Sequence, residues 1–228
     1  VASHGGNVTG PPEVANGGPI ETDDGLTLET LWDRPAIPPV GAVVLCHPHP
    51  LQGGTMTVPL IRAMSASLID RGAVVLRFNF RGVGDSEGTW GGGLAEIYDV
   101  AAAVAAIGEV YAGVPLGIAG WSFGAVTSLN WQARSASSLP WAGVASPLRL
   151  TGGFRLPDPA ALAPARRKFI VGTRDQFVTA DDMSRYAQEA GAEIEVLDGS
   201  DHFFYFKEHH VAEIVADHLL GTPPAATR

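Results

Sequence analysis

Short, continuous apolar runs alternate along this chain with longer stretches in which apolar residues recur every three or four positions. The runs are Ala42–Cys46, Ala73–Phe78, Leu116–Gly120, Trp141–Ser146, Lys168–Gly172 and Glu193–Leu197. Most lack polar alternation, which predicts strands covered on both faces. The intervening stretches predict helices: Leu60, Ile61, Met64 and Leu68 form one stripe, Leu94, Ile97, Ala101 and Val104 a second, and Val211, Ile214, Val215 and Leu219 a last one. Two more helices are expected, from Ser122 to about Ala136 and from Thr179 to about Ala190. Punctuation agrees with these limits. Pro59 and Gly72 bracket the first helix, and Thr179 with Asp182 resembles a capping box closed by Gly191. Asp158–Ala165 is the candidate for a further connecting helix.

The remaining segments are punctuated differently. Leu26, Leu28 and Thr30 alternate with polar neighbours after Asp24-Gly25, predicting an antiparallel hairpin from about Ile20 to Trp32. Pro35–Pro39, the proline-rich His47–Gly54 and the glycine-rich Asn79–Gly93 read as loops, with neither helix nor strand in the second. Alternating strand and helix from residue 42 onward is the pattern of an α/β fold, a mostly parallel sheet with helices on both faces. We place a single domain over residues 19–221, between flexible tails at 1–18 and 222–228.

Composition narrows the function classes. With 46% hydrophobic residues in 228, a sizeable core is available. A net charge of −9 argues against nucleic acid or an anionic membrane as partner. The single cysteine, Cys46, allows no intrachain disulfide and fits a reducing compartment, so a cytoplasmic location is expected. No apolar run approaches the roughly 18 residues of a membrane span, and the first residues lack the basic-then-apolar order of a signal peptide.

The chemistry centres on Gly120-Trp121-Ser122-Phe123-Gly124. It joins an apolar strand to a helix start, the context in which G-x-S-x-G lifts a serine hydroxyl above the sheet edge. Strand and helix pass closely there, giving both glycines a steric reason. Two further polar residues follow later strands: Asp175 after the strand ending at Gly172, and His202 after the one ending at Leu197. Functional residues of parallel sheets gather at the carboxyl ends of strands, so Ser122, Asp175 and His202 are expected on one rim. A serine hydroxyl needs an imidazole to take its proton, and the imidazole needs a carboxylate to orient it and stabilise its cation.

Rival readings fail on context. Gly84-Asp85-Ser86-Glu87-Gly88 repeats the motif, but Gly88 and Gly91–Gly93 deny Ser86 a following helix. Ser86, with Arg81 and Asp85, is expected to hold its loop. His47 and His49 match no structural zinc spacing, so no metal is expected and the His47 ring is read as loop-holding. Asp201 and Asp198 adjoin His202 too closely in sequence to aim at it, leaving Asp175 as the acid. Lys207–His210 reads as a solvated helix start.

The order Ser122, Asp175, His202 after successive strands resembles the α/β-hydrolases over roughly residues 20–220. The runs CHPHPLQGGTM (46–56), RFNFRGVGDSEG (77–88) and GSDHFF (199–204) are similar to a group of small bacterial members, lidless carboxylesterases related to dienelactone hydrolases. The resemblance implies hydrolysis of small carboxylic esters, with no cofactor. Dienelactone hydrolases proper have a cysteine where this chain has Ser122, and their lactone chemistry is not carried over. The resemblance also implies an oxyanion hole made by the Phe123 N–H and one donor from the loop after Cys46. Pro48 and Pro50 have no N–H, which leaves His49 or Leu51, with His49 favoured. Leu51, Trp121 and Phe203 are the expected substrate contacts. The interval 147–167 is too short for a cap. Amide hydrolysis by the same machinery and a non-catalytic binding protein are the alternatives.

Overall fold

A computed structural model describes residues 18–221; the expected tails lie outside the described residues except for Gly18. Gly18 is not loose: its carbonyl accepts hydrogen bonds from Thr30 Oγ1 at 2.9 Å and Trp32 Nε1 at 3.4 Å.

Seven strands form the main sheet: β3 (Thr30–Asp33), β4 (Gly41–Cys46), β5 (Ala73–Phe78), β6 (Leu116–Trp121), β7 (Trp141–Val144), β8 (Arg167–Gly172) and β9 (Glu193–Leu197), in the spatial order β3-β5-β4-β6-β7-β8-β9. All pairings are parallel except β3 with β5. Two short strands, β1 (Ile20–Glu21) and β2 (Thr27–Leu28), pair separately. The expected Ile20–Trp32 hairpin is therefore split. After Leu28 the Glu29 N–H bonds the Ser86 hydroxyl, and the chain crosses to the edge of the main sheet.

Every residue of β4 and β5 is buried. Because side chains alternate across a strand, each supplies both faces. Val43, Leu45 and Val75 pack under α1 (Pro59–Asp70) and α5 (Glu208–Leu220), against Leu60, Met64 and Val211. Val44, Leu76 and Phe78 pack on the opposite face with α2 (Glu96–Val110), α3 (Phe123–Ser135) and α4 (Ala180–Glu189), against Val100, Leu129 and Met183. The sheet is a filling between two helical layers.

Three local expectations need correction. Leu94 precedes α2 and is exposed; the buried stripe runs through Ile97, Val100, Val104 and Ile107. The helix begins later because the Gly91 and Gly93 N–H groups donate to the buried Glu96 carboxylate at 2.6 and 2.8 Å, which holds the preceding chain as a loop. The expected helix over 158–165 is only a 3-10 turn, Pro159–Ala161. Pro164 lacks an N–H and drives the residue before it away from helical geometry. The loop 47–54 likewise contains a 3-10 turn, Pro50–Gln52, opened by His49. Among the described residues there is no cap domain: residues 148–156 fold back as a small hairpin with Leu150 N to Phe154 O at 2.7 Å and Leu156 N to Leu148 O at 3.0 Å.

Candidate active site

Strand register sets the site. Cys46 lies beside Gly120, Trp121 beside Val144, and Gly172 beside Leu197, so the loops leaving β4, β6, β8 and β9 emerge along one rim.

At the β6–α3 junction Ser122 has φ 53° and ψ −115°, a strained conformation for a residue with a side chain. The turn must be sharp because helix and sheet nearly touch. A Cβ on Gly124 would lie 2.2 Å from the Cys46 carbonyl oxygen, and one on Gly120 would lie 2.5 Å from the Ala125 nitrogen. Serine before a helix ordinarily caps it, but the Ser122 side chain makes no capping bond. Its Oγ lies 3.0 Å from His202 Nε2 instead, and His202 Nδ1 lies 2.9 Å from Asp175 Oδ2. The Asp175 side chain is fully buried, and its other oxygen accepts the N–H groups of Phe177 at 2.8 Å and Val178 at 3.2 Å. Asp175 is thus fixed from one side and can accept only the imidazole from the other.

The imidazole is held on several sides. Phe177 meets it edge-on at 4.6 Å between ring centres, Phe203 at 5.5 Å, and Trp121 Nε1 donates to the His202 carbonyl at 3.2 Å. Gln176, which sequence reasoning passed over, accepts the His202 N–H at 3.3 Å. The two rival acids have other partners. Asp201 Oδ1 accepts the N–H groups of Phe203 and Phe204, and Asp198 accepts the Thr173 hydroxyl.

The loop after β4 is pinned by His47. Its Nδ1 faces the Pro48 carbonyl at 2.7 Å and its Nε2 accepts the Phe80 N–H at 3.0 Å, which makes it a neutral imidazole protonated on Nδ1. Burial pushes its pKa down to about 4. Both ring nitrogens are engaged, so His47 holds the loop and is not free to ligate. Burial also lowers the pKa of His49, whose ring packs on Trp90 and Phe123. The Leu51 N–H donates to His49 Nδ1 at 3.2 Å, which removes Leu51 as an anion donor. The His49 and Phe123 N–H groups have no acceptor among the described residues.

Ser86 sits elsewhere, buried, with its hydroxyl donating to the Asn79 carbonyl at 2.7 Å. Arg81 bridges Asp24 and Asp99 beneath the same loop, while Asp85 contributes its N–H to Glu29.

Two small cavities meet at Ser122 and His202. One, of about 90 Å³, is bordered by Gln52, Pro147, Arg149, Leu150 and Thr151. The other, of about 100 Å³, is bordered by Pro48, Gly54, Val58, Trp121 and Phe203. His49 and Phe177 border both. Trp121 and Phe203 border the second of these cavities. Leu51 does not: it is 68% exposed and borders neither cavity, because its 3-10 turn carries it outward. The contribution of residues 147–151 carried no sequence signal beyond the shortness of the segment.

A mostly parallel sheet with an elbow serine and, among the described residues, no cap is the α/β-hydrolase fold in its lidless form. No protein-family model matches the chain. Among solved structures it is similar to an α/β serine hydrolase homologue from Coxiella burnetii, with 27% identity, 88% of this chain and 95% of that one covered, and a TM-score of 0.77. A lidless α/β serine hydrolase from Xanthomonas campestris is similar at 25% identity, 92% and 95% coverage, and a TM-score of 0.76. An uncharacterized protein of Rickettsia prowazekii is 28% identical over 203 residues, 85% of this chain and 84% of the relative. Among the described residues, no helix is long and apolar enough to cross a membrane.

Proposed function

We propose that this chain is a serine hydrolase that cleaves small carboxylic esters through an acyl-enzyme, with Ser122 as nucleophile, His202 as general base and acid, and Asp175 as the orienting carboxylate. The observation that carries this reading is the continuous chain of short contacts Ser122 Oγ–His202 Nε2 and His202 Nδ1–Asp175 Oδ2. In the reaction, His202 Nε2 accepts the hydroxyl proton as Ser122 Oγ attacks the ester carbonyl. Charge then builds on the carbonyl oxygen, and the unpaired N–H groups of Phe123 and His49 are the donors for it, each worth about 3 kcal/mol. Collapse expels the alcohol, which takes the proton back from His202. Water, deprotonated by the same imidazole, then releases the acid and restores Ser122. Asp175 keeps the proton on Nδ1 and stabilises the imidazolium without leaving its own hydrogen bonds.

The two α/β serine hydrolases among the similar structures support the reaction class. The single cysteine, which allows no intrachain disulfide, is what supports a cytoplasmic site of action. Labelling with a fluorophosphonate probe followed by peptide mapping tests the proposal. Modification of Ser122, blocked in Ser122→Ala, is the expected result; an unlabelled protein with no esterase activity would favour a non-catalytic binding role.

A further inference from the structure

The chain carries 24 acidic residues, yet neither cavity at Ser122 is bordered by an aspartate or glutamate. Among the lysines and arginines, Arg149 alone of the described residues borders them. It stands on the small hairpin 148–156, directly across an antiparallel bridge from Arg155. Residues opposed in this way present their side chains to the same face of the ribbon, and two like charges so placed repel. Relief would ordinarily come from a carboxylate, as it does for Arg71, Arg77 and Arg81 in this protein. Neither Arg149 nor Arg155 has an ion pair or side-chain hydrogen bond among the described residues.

The hairpin is nonetheless well anchored. Asn130 Nδ2 donates to the Arg155 carbonyl at 2.8 Å, and Phe154 packs so closely on Gly93 that a Cβ there would lie 2.3 Å from its ring. Gly152 and Gly153, at φ 89° and 91°, make the reversal at its tip. A fixed ribbon therefore holds Arg149 at the edge of an acid-free cleft, with Arg155 opposite it bordering a neighbouring cavity. A local rule broken without compensation inside the fold points to a partner outside it.

We propose that Arg149, reinforced by the positive charge of Arg155 across the ribbon, reads a carboxylate on the substrate, so that the preferred ester bears a free acid group a few bonds from the scissile carbonyl. The planar guanidinium fork matches a carboxylate with paired, charge-assisted hydrogen bonds. An anion settled there relieves the repulsion between the two arginines, and it escapes the overall −9 charge that would otherwise disfavour its approach. The opposite cavity, walled by Trp121, Val58 and Phe203, takes the apolar end of the same molecule. Half-esters of short dicarboxylic acids have this shape. This inference rests on the serine-hydrolase reading for its turnover but not for its binding site.

The test compares ethyl hydrogen succinate with diethyl succinate, which differ in the free carboxylate. The wild-type kcat/KM ratio should favour the half-ester. That ratio should fall about 10- to 100-fold in Arg149→Gln, fall also in Arg155→Gln, and be partly retained in Arg149→Lys, the range expected for losing a charge-assisted hydrogen-bonded pair. Binding is read separately, by calorimetry of ethyl hydrogen succinate with Ser122→Ala. It should weaken about tenfold when Arg149→Gln is added and also when salt rises from about 50 to 500 mM. Both arginines are exposed, so the variants should melt like the parent. A ratio that does not favour the half-ester, or one unmoved by the substitutions with binding likewise unmoved, overturns the carboxylate reader. Diester hydrolysis with no arginine effect would leave the serine esterase standing and remove this inference alone. Arginine-dependent binding without hydrolysis of either ester would do the reverse.

Discussion

His47 Nε2 accepts the Phe80 N–H across 3.0 Å, tying the loop after β4 to the loop after β5. The bond requires an unprotonated Nε2, and the ring is wholly buried. It also packs edge-on against the Phe80 ring at 4.8 Å. The geometry of the loop that bears His49 therefore depends on one neutral imidazole.

Stability should consequently fall in mild acid. The His47 pKa lies near 4 in the folded chain, against 6.5 for the ordinary side chain. Between those values the unfolded chain binds the proton and the folded chain does not, so stability is complete above about pH 6.5 and declines as pH falls toward 4. The full loss is about 3 kcal/mol, taking roughly 1.4 kcal/mol for each unit of separation. Urea midpoints between pH 7 and pH 4.5 should show this slope, and His47→Gln should flatten it while lowering stability at pH 7. Asp24, held near pKa 2 by Arg81, acts in a lower window, below about 3.8.

Gly124→Ala should damage the fold more than an ordinary surface change. Its Cβ would sit 2.2 Å from the Cys46 carbonyl oxygen and 2.5 Å from that of His47, both backbone atoms that cannot swing aside. A loss of about 3 kcal/mol or more is expected, visible as a lower urea midpoint or as insoluble protein. Gly25→Ala meets nothing within 4 Å; its cost comes only from the left-handed φ of 83° and should be smaller.

Ser122→Ala and Ser86→Ala should separate function from support. The first should lower kcat by about 10⁴- to 10⁶-fold with the melting curve preserved. The second removes the acceptor of the part-buried Glu29 N–H, bonded at 2.9 Å, and the donor to the buried Asn79 carbonyl, and should cost about 1 to 3 kcal/mol of stability. Comparable esterase rates in folded Ser122→Ala would refute the mechanism.

Asp175→Asn and Asp201→Asn offer the same comparison for the acid. In Asp175→Asn the side-chain amide could still accept the Phe177 N–H but would present no negative charge to His202, for a loss near 10⁴-fold in kcat. Asp201 caps the turn that carries His202, and an asparagine there can still accept the same two N–H groups, so its replacement should cost far less rate and little stability. Equal losses in the two variants would show that Asp175 is not the orienting group.

Chain length of the acyl group gives a further check. The cavities at Ser122 hold only about 90 and 100 Å³ each, and among the described residues no cap closes over them. Carbons beyond their reach stay in water and contribute little of the ~0.8 kcal/mol available per buried methylene. In a series of neutral p-nitrophenyl esters, kcat/KM should be highest from acetyl to hexanoyl, with no jump above the solubility limit. A preference for acyl groups beyond about twelve carbons would mean that some segment moves to cover them.

The elements and the candidate triad could be read from the chain because each is encoded locally. An apolar run such as Ala73–Phe78 is a strand wherever it lies, and strand-turn-helix context separated Ser122 from Ser86 without any contact being known. The sequential order of Ser122, Asp175 and His202 also sufficed, because parallel strands deliver their carboxyl ends to one rim. Where reading failed, the deciding partner was distant in sequence or a competing local bond won. Pro164 stopped a helix over 158–165, and Glu96 held Gly91 and Gly93 out of α2. Only the assembled fold turned Leu51 outward while its N–H closed on His49, set the tautomer of His47 through Phe80, and laid the 148–156 hairpin with Arg149 beside the cleft. Periodicity and turn chemistry are properties of neighbours along the chain. The shape and charge of a cleft are sums over residues that meet only after the sheet has closed its layers around them.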